Sequence, residues 1–319
     1  MHKFSAIVNW ECSNISEVRH NFRMLCSLPP LTLEFVIYLN SIFLWSFWNC
    51  SFLFLDYIIH PIYFHSQNSQ KMDQHSELKL KQLKECVQKL GSSTEKYGDP
   101  TLMRFLIARS MDANKAAKMF VSWQKWRASF VPLGYIPDSQ VVDQLDAKKI
   151  YLQGLSKDGY PVMVVKVCNH SPAKDQPQFK KFVVHLLDKA IASGFNGKEI
   201  GNEKLVCVLD LDQLAYKNVD VRGMITGFQF LQSYYPERLA KCYLLNMPWF
   251  FVSVWKVVSR FLEKATLEKI IIVSDEEGKS QFVREVGKDV LPEELGGKAK
   301  LVTLQDVVLP SLGFNCHYT

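Results

Sequence analysis

Apolar residues recur at helical spacing in one region of the chain, residues 76–130. The first predicted helix starts at Ser76, ends at Gly91 and carries its apolar side chains on one face: Leu80, Leu83, Val87 and Leu90. Asp99-Pro100 predicts the start of a second helix, with Asp99 as its N-cap, and Asp112 predicts the N-cap of a third. The pattern therefore predicts an all-helical region.

Further along the chain, short apolar runs alternate with helical patterns. The predicted strands are Ile150–Gly154, Tyr160–Val167, Leu205–Leu211, Cys242–Asn246 and Lys269–Val273. The turn residues Ser156–Gly159 join the first two strands into a predicted hairpin. The predicted helices are Gln178–Ser193, Val221–Ser233, Phe250–Glu263 and Asp275–Val286. This alternation is typical of an α/β domain with a mostly parallel sheet.

The first 71 residues differ from the rest of the chain. Phe35–Leu55 contains 21 residues without a charge, which is long enough to span a membrane. Polar residues such as Asn40 and Ser46 weaken this segment as a spanning helix, and its aromatic residues are not confined to its ends. We favour an upstream extension that is not part of the working protein, with Met72 opening the folded domain. The alternatives are a membrane anchor through residues 35–55 and a loosely packed appendage.

The formal net charge of +6 adds a weak indication of the partner. Residues 1–71 carry four basic and four acidic side chains, so the whole excess lies on residues 72–319. A mild positive charge suits contact with an anionic membrane surface or with phosphate head groups, and a solvated surface explains it equally well. The eight cysteines form no CxxC pair and no metal-like cluster with histidine, which favours a reducing compartment and predicts no metal site.

Common catalytic and nucleotide-binding motifs are absent from the sequence, which has no Gly-x-Gly-x-x-Gly, P-loop or Gly-x-Ser-x-Gly pattern. One enzymatic alternative stays open. Asp210 and Asp212 end an apolar strand, where haloacid-dehalogenase-type phosphatases place a nucleophile and an acid with Mg²⁺ between them. Leu214 replaces the small residue of those enzymes, so we interpret Asp210 as a hydrogen-bonding residue at a strand end. His170 and His185 are isolated in the sequence.

Four segments of the chain resemble the CRAL-TRIO lipid-transfer family in order and spacing. They are Tyr234–Arg238 (Tyr-Tyr-Pro-Glu-Arg), Asn246–Pro248 (Asn-Met-Pro), Ala265–Ile270 and Leu291–Lys298. The resemblance covers residues 78–308. It implies an all-helical N-terminal subdomain over residues 72–130, an α/β lipid-binding domain with a mostly parallel sheet over residues 131–308, and a tail over residues 309–319.

The resemblance also implies a function: binding a phospholipid in an apolar cavity and transferring or presenting it between membranes, without covalent chemistry or a cofactor. Phosphatidylinositol is the favoured ligand. A membrane surface is the expected partner, with no nucleic acid, a monomeric state and a cytoplasmic, peripheral location. The phosphoinositide contacts of the family fall on four matching residues: Arg109, Glu237, Thr266 and Lys269. A sterol or a tocopherol-like molecule is the alternative ligand.

The segment after Asn246–Pro248 is very apolar, with a narrow polar stripe of Ser253, Lys256, Arg260 and Glu263. The pattern alone fits a helix buried between layers as well as one that covers a cavity and touches the bilayer. The resemblance favours a gating helix that hinges with Gly296 and Gly297, although Phe250 stands where the family usually has a glycine. The apolar residues of this gating helix are Trp249, Phe250, Phe251, Val254, Trp255, Val258, Phe261 and Leu262.

One predicted strand departs from the family pattern. Side chains alternate along a strand, so Leu205, Cys207 and Leu209 share one face, which is apolar. Family members that exchange phosphatidylcholine carry hydroxyl residues at the positions of Leu205 and Cys207. A phosphate buried against this face would lack hydrogen-bond donors. The departure therefore predicts weak or absent phosphatidylcholine transfer.

Overall fold

The structure is a computed structural model, and it describes residues 74–194 and 204–309. Its first part is helical, with α1 (residues 74–89), α2 (Asp99–Ala108) and α3 (Ala113–Phe130). The apolar faces of these helices meet in one core, whose buried members include Leu83, Val87, Leu102, Phe105, Leu106 and Phe120. The carboxylate of Asp112 accepts a hydrogen bond from the backbone N–H of Lys115 at 3.0 Å, so the predicted cap of α3 is confirmed.

The start of α2 differs from the prediction. Gly98 is the N-cap, and Asp99 is the first helical residue, where a carboxylate interacts favourably with the helix dipole. Pro100 is tolerated next to it because an N–H in the first turn has no helical partner. Asp99 Oδ1 lies 2.6 Å from Lys84 Nζ. The side chain of Asp99 therefore joins α2 to α1 instead of capping its own helix.

The second part alternates strands with helices. The strands are β1 (Ile150–Leu155), β2 (Pro161–Lys166), β3 (Leu205–Asp210), β4 (Leu239–Leu245) and β5 (Ile270–Val273). The helices are α4 (Val142–Asp146), α5 (Gln176–Ala192), α6 (Val221–Tyr234), α7 (Phe251–Val258), α8 (Lys264–Leu267) and α9 (Glu276–Val286). Every predicted strand is present, and the largest shift is at β4, which starts at Leu239 instead of Cys242.

The strands form one sheet in the order β1-β2-β3-β4-β5. β1 and β2 are antiparallel, with Ile150 opposite Val165, and the other three pairs are parallel. This architecture confirms the predicted α/β fold with a mostly parallel sheet behind a helical region. The parallel strands all start at one edge of the sheet, called here the amino edge, and all end at the opposite carboxyl edge. β1 runs the other way, so its first residue lies at the carboxyl edge.

The two faces of the sheet are covered by different elements. On one face, α9 and the segment after it pack on the strands through Phe282, Val286, Leu291 and Leu295. These side chains meet the strand residues that point to that face, including Val164, Val206, Val208 and Tyr243. On the other face, α5 and α6 contribute Phe182, Leu186 and Leu231 to a core with Leu205, Cys207 and Leu244. Because side chains alternate along β3, Val206 and Val208 face α9, whereas Leu205, Cys207 and Leu209 face α5 and α6.

The predicted helix Phe250–Glu263 is wrong in its extent. Helix α7 ends at Val258 and is followed by a 3₁₀ turn over Ser259–Phe261. Leu262 and Glu263 then have extended backbones, and Glu263 precedes the short helix α8. The backbone N–H of Glu263 donates to Gln232 Oε1 on α6 at 2.8 Å, which replaces a bond within a continuous helix. The chain is therefore interrupted beside a tertiary contact, although its amphipathic pattern predicts one continuous helix.

No helix within residues 74–194 and 204–309 has the length and apolar content needed to cross a membrane. The apolar segment Phe35–Leu55 lies outside the described residues, as do positions 310–319 of the predicted tail.

The proposed hinge glycines lie in a tight turn behind the sheet. Gly296 has a left-handed backbone with φ of 85°. A β-carbon on Gly297 would overlap the carbonyl oxygen of Leu291, the same oxygen that accepts a hydrogen bond from the N–H of Ala299 at 2.9 Å. Backbone approaches backbone at this point, so only glycine fits at position 297 without a shift of the chain.

Replacing Gly297 with alanine should therefore destabilise the fold by about 1–3 kcal/mol, as overpacking against an immobile backbone does. Gly227→Ala is the matched control, because no atom lies within 4 Å of its added β-carbon inside α6. That change should stabilise the helix by roughly 0.5–1 kcal/mol. Urea unfolding of both variants measures the two effects. Equal midpoints for the two variants would contradict the close approach at Leu291.

Candidate functional site

An apolar cavity of about 200 Å³ lies between the sheet and helices α5 and α6. Its wall on the sheet includes Leu205, Cys207 and Leu209 of β3 with Cys242 of β4, and its wall on the helices includes Phe182 and Leu231. Gly227 of α6 also lines it, and the space where a β-carbon would stand is open. The missing side chain therefore helps to keep the helices from filling this space.

The three residues predicted to share an apolar face of β3 do line the cavity together. Cys207 pairs in register with Cys242, so the two thiols lie side by side on neighbouring strands. A hydrogen bond with Cys207, together with burial, raises the pKa of Cys242 well above its ordinary value. The part of the cavity wall formed by β3 and β4 is therefore made of apolar side chains and thiols, which offer a phosphate no strong donor.

Helix α7 contacts the cavity on one side and solvent on the other. Phe251 is buried and lines the cavity, and Trp255 contacts Phe228 of α6 with 6.3 Å between ring centroids. Trp249 is 82% exposed. The remaining residues predicted for the gating helix divide into buried Val258 and Leu262, half-buried Phe250 and Val254, and exposed Phe261. The segment thus carries apolar side chains toward both the cavity and the solvent.

Glu237 and Lys269, two of the predicted head-group residues, form an ion pair with 3.0 Å between Lys269 Nζ and Glu237 Oε2. Glu237 lies two residues before β4 and has a left-handed backbone with φ of 56°. Lys269 lies one residue before β5, and its carbonyl accepts the N–H of Cys242 at 2.8 Å. The pair therefore stands at the amino edge of the sheet, two residues from Leu239 of the cavity wall.

The other two predicted head-group residues have different positions. Thr266 is buried in α8, and its carbonyl accepts the N–H of Lys269 at 3.1 Å, so the chain holds it beside the ion pair. Arg109 follows α2, and its guanidinium donates to the carbonyl of Ala108 at 2.8 Å. Within the described ranges, no hydrogen bond or ion pair links Arg109 to the other three residues. The structure thus groups three of the four and leaves Arg109 on the helical region.

A second polar cluster, which the sequence did not indicate, borders the cavity. Lys149 Nζ lies 2.6 Å from Gln144 Oε1 and 2.9 Å from Nδ1 of His170. His170 Nε2 lies 3.1 Å from a carboxylate oxygen of Asp220, the residue that caps α6. Lys149, His170 and Asp220 all line the cavity, and they are called here the Lys149 relay. His170, which is isolated in the sequence, is therefore part of a hydrogen-bonded cluster in the structure.

The Lys149 relay could not be predicted from the sequence, because its members are far apart along the chain and each has an ordinary local position. Lys149 follows Lys148 just before a strand, His170 follows a strand, and Asp220 has the position of a helix cap. Their meeting depends on β1 and β2 pairing so that Lys149 reaches the carboxyl edge, where the N–H of Lys166 donates to its carbonyl at 2.9 Å. The one available signal was a lysine next to an apolar strand.

Hydrogen bonding defines the protonation of the relay. An ammonium can only donate, so Nδ1 of His170 accepts from Lys149 and Nε2 carries the proton that is donated to Asp220. Burial lowers the pKa of Lys149 to about 8, although the nearby Asp220 opposes the shift. Burial, and then the charge of Lys149, lower the pKa of His170. At neutral pH the relay is therefore a lysine cation and an aspartate anion bridged by a neutral imidazole.

Asp210 and Asp212 have the strand-end arrangement that we inferred. Asp210 is buried, and its Oδ1 accepts from Asn246 Nδ2 at 2.9 Å and from the N–H of Asp212 at 3.1 Å. Asp212 is exposed. Within the described part of the chain, no three His, Cys, Asp or Glu side chains stand close enough to hold a metal ion. The carboxylate of Asp210 thus ties the end of β3 to the end of β4.

The pKa of Lys149 generates a test of the relay. Between about pH 8 and pH 10, Lys149 binds fewer protons in the folded state than in the unfolded state, because its pKa falls from the free lysine value of about 10.4 to about 8 on folding. The free energy of unfolding should therefore rise with pH across this window. Relative to Lys149→Met, the wild-type chain should gain up to about 3 kcal/mol in free energy of unfolding across this window. Urea titrations of both proteins near pH 7.5 and pH 10 measure the difference. Parallel pH profiles would show that Lys149 is solvated.

Comparison with known proteins agrees with this geometry. The CRAL/TRIO domain family matches residues 145–297, and the CRAL/TRIO N-terminal domain matches residues 79–122. The Sec14 cytosolic factor of Schizosaccharomyces pombe is 30% identical over 233 residues, which cover 67% of this chain and 79% of that protein. The phosphatidylinositol transfer protein CSR1 of Eremothecium gossypii is 28% identical over 216 residues, 63% of this chain and 48% of that protein.

Among solved structures, the crystal structure of Sfh5 has the same fold, with a TM-score of 0.53 at 18% identity. The match covers 76% of this chain and 93% of that one. The two family matches together include most of the helical region and the sheet with its cavity. The chain belongs to the CRAL/TRIO domain family and is similar to Sec14 along most of its described length.

Proposed function

We propose that the protein binds a phospholipid, with phosphatidylinositol preferred, and transfers or presents it between membranes. The observation that carries this proposal is the apolar cavity together with the Glu237–Lys269 ion pair, which lies at the amino edge of the sheet two residues before Leu239 of the cavity wall. The names of two relatives, a Sec14 cytosolic factor and a phosphatidylinositol transfer protein, support the ligand class and a cytoplasmic, peripheral location.

An apolar cavity alone allows the protein to carry a lipid, but it does not determine which lipid is bound. Each buried CH₂ contributes about 0.8 kcal/mol relative to water, so bare acyl chains do not cross an aqueous phase readily. The donor membrane buries the same groups, and transfer into the cavity is therefore close to neutral in free energy. Selection depends on the few polar groups that fix the head group. At the amino edge, Glu237 and Lys269 provide a carboxylate and an ammonium close along the chain to Leu239 of the cavity wall.

The chemistry of this pair suits inositol phosphate. The ammonium of Lys269 can donate to a phosphate oxygen, and the carboxylate of Glu237 can accept from inositol hydroxyls. Thr266, held one turn before Lys269, adds a hydroxyl. Arg109 would complete the shell as a further phosphate contact from the helical region. A phosphocholine head group has no free hydroxyl to donate to Glu237, and the apolar face of β3 offers its phosphate no donor.

Loading a two-chain lipid requires the cavity to grow. Its 200 Å³ is below the roughly 300–1,000 Å³ of ordinary ligand pockets. Helix α7 is the element suited to move, because it lines the cavity through Phe251 and is separated from α8 by an extended break at Leu262 and Glu263. Exposed Trp249, before α7, and exposed Phe261, in the turn after it, would enter the membrane interface while the helix is open.

The head-group proposal predicts that Lys269→Ala slows phosphatidylinositol transfer between vesicles at least tenfold, because a lost charge-assisted contact costs roughly 1.5–3 kcal/mol. Lys264→Ala is the matched control: Lys264 lies in the neighbouring helix α8 with its side chain 90% exposed. It should transfer at the wild-type rate. Equal transfer by two well-folded variants would remove Lys269 from the site.

The cavity lining predicts weak or absent phosphatidylcholine transfer. Labelled phosphatidylcholine and phosphatidylinositol presented in the same vesicles measure the preference directly. We expect phosphatidylinositol to move at least tenfold faster, since an unpaired buried polar group costs about 1–3 kcal/mol and a charged one costs more. Comparable rates for the two lipids would refute the inference from Leu205 and Cys207.

A further inference from the structure

The two outer strands of the sheet have different surroundings. Along β1, a later segment of the chain covers the edge: the N–H of Leu152 donates to the carbonyl of Val302 at 3.0 Å, and Tyr151 forms a bridge with Thr303. Along β5 the sheet ends, and among the described residues no strand pairs with its outer side. This outer side is called here the β5 edge.

Backbone groups at the β5 edge point away from the sheet. The carbonyl of Lys269 accepts the N–H of Cys242 on β4, so the backbone of Lys269 is directed toward the sheet. Successive residues of a strand direct their N–H and C=O groups to opposite sides, so those of Ile270 and Ile272 point away from β4. Each of these two residues offers one donor and one acceptor to a further strand. The β5 edge can therefore accept an extended segment as an added strand.

The side chains of β5 are apolar and accessible. The strand consists of Ile270, Ile271, Ile272 and Val273, without a charged residue or a proline, and its register with β4 contains no bulge. Ile271 is 36% exposed and Ile272 is 46% exposed, and they lie on opposite faces of the sheet. Natural edge strands often carry a lysine, a proline or a bulge that prevents pairing with another chain. Because β5 has none of these, apolar contacts on both faces would support a docked strand.

The charges around β5 indicate the kind of partner. Four acidic side chains lie within five residues of the strand on either side: Glu268, Asp275, Glu276 and Glu277. Lys269 is the one basic side chain in the same span, and it is paired with Glu237. This acidic surface would repel an anionic membrane, and two copies of the chain paired at this edge would bring like charges together. A segment that carries basic residues is complementary to it.

We propose that the β5 edge binds an extended segment of a partner protein by strand addition, and that this segment has β-branched apolar residues flanked by lysine or arginine. Its backbone pairs with Ile270 and Ile272, and its apolar side chains pack beside Ile271 and Ile272. Its basic residues face Glu268 at one end of β5 and Asp275–Glu277 at the other. The site does not involve the cavity and needs no bound lipid, so it is independent of the proposed function.

The test uses the full chain and a fluorescent peptide with the sequence Lys-Arg-Val-Thr-Val-Thr-Val-Arg-Lys. One control peptide has glutamate in place of every basic residue. The other keeps the charges but is N-methylated at its five central residues, which removes the backbone donors needed for strand pairing. Fluorescence anisotropy at low salt measures the affinities. The first peptide should bind about tenfold or more tightly than either control, because each control loses backbone hydrogen bonds or charge complementarity.

Two variants of Ile272 then assign the binding to the β5 edge. Ile272→Pro removes the N–H that points outward, and proline is tolerated at an edge position whose N–H has no partner within the sheet. Ile272→Val is the matched control, because it keeps the N–H and an apolar, β-branched side chain. Ile272→Pro should bind the peptide about tenfold or more weakly than Ile272→Val. Urea unfolding of both variants checks that they are folded.

Three outcomes would overturn the proposal. The first is binding of either control peptide by the wild-type chain as tightly as the basic peptide, a measurement that needs no variant. The second is equal affinity of folded Ile272→Pro and Ile272→Val for the basic peptide. The third is a dimer of the wild-type chain in sedimentation, or its binding to phosphatidylserine vesicles, that Ile272→Pro abolishes and Ile272→Val keeps. That result would assign the β5 edge to a second copy or to a membrane.

Discussion

A parallel sheet must be covered on both faces, and the rest of this structure depends on how differently the two faces are covered. On one face, α9 and Leu291 lie directly on the valines of the central strands. On the other, α5 and α6 pack on the sheet around a cavity that they do not fill, helped by the absent side chain of Gly227. Both covers bury apolar strand residues, so the second can leave a hollow without losing the core.

The direction of the strands arranges polar groups at the two ends of that hollow. Because β2 to β5 are parallel, residues that precede strands meet at one edge and residues that follow strands meet at the other. Glu237 and Lys269 share the amino edge in this way, and His170 and Asp220 share the carboxyl edge. Lys149 joins the second group only because β1 is antiparallel. Topology thus gives an apolar cavity two chemically different ends.

The sequence predicted the fold well because its signals are local. Alternation along β3 and helical spacing in α3 each depend on neighbouring residues, and both elements occur where they were expected. The break at Leu262 was not predicted because it depends on Gln232, thirty residues away. The Lys149 relay has the same cause: each of its members suits an ordinary surface role until the strands pair.

The arrangement of the predicted head-group residues could be predicted from the sequence only in part. A motif could place Glu237, Thr266 and Lys269 on the two turns before β4 and β5, and the sheet then brings those turns together. No local pattern determines how the helical region is oriented, so the place of Arg109 relative to the other three depends on packing between the two parts of the chain.

The ion pair between Glu237 and Lys269 has a consequence for the departure of a ligand. Each group is the other's partner when no head group is present, so a leaving lipid uncovers no unpaired charge. Under the proposed function, the empty and loaded states would then differ little in electrostatic free energy. A carrier benefits from this balance, because a site that binds its ligand too tightly would become a store of lipid and no longer deliver it.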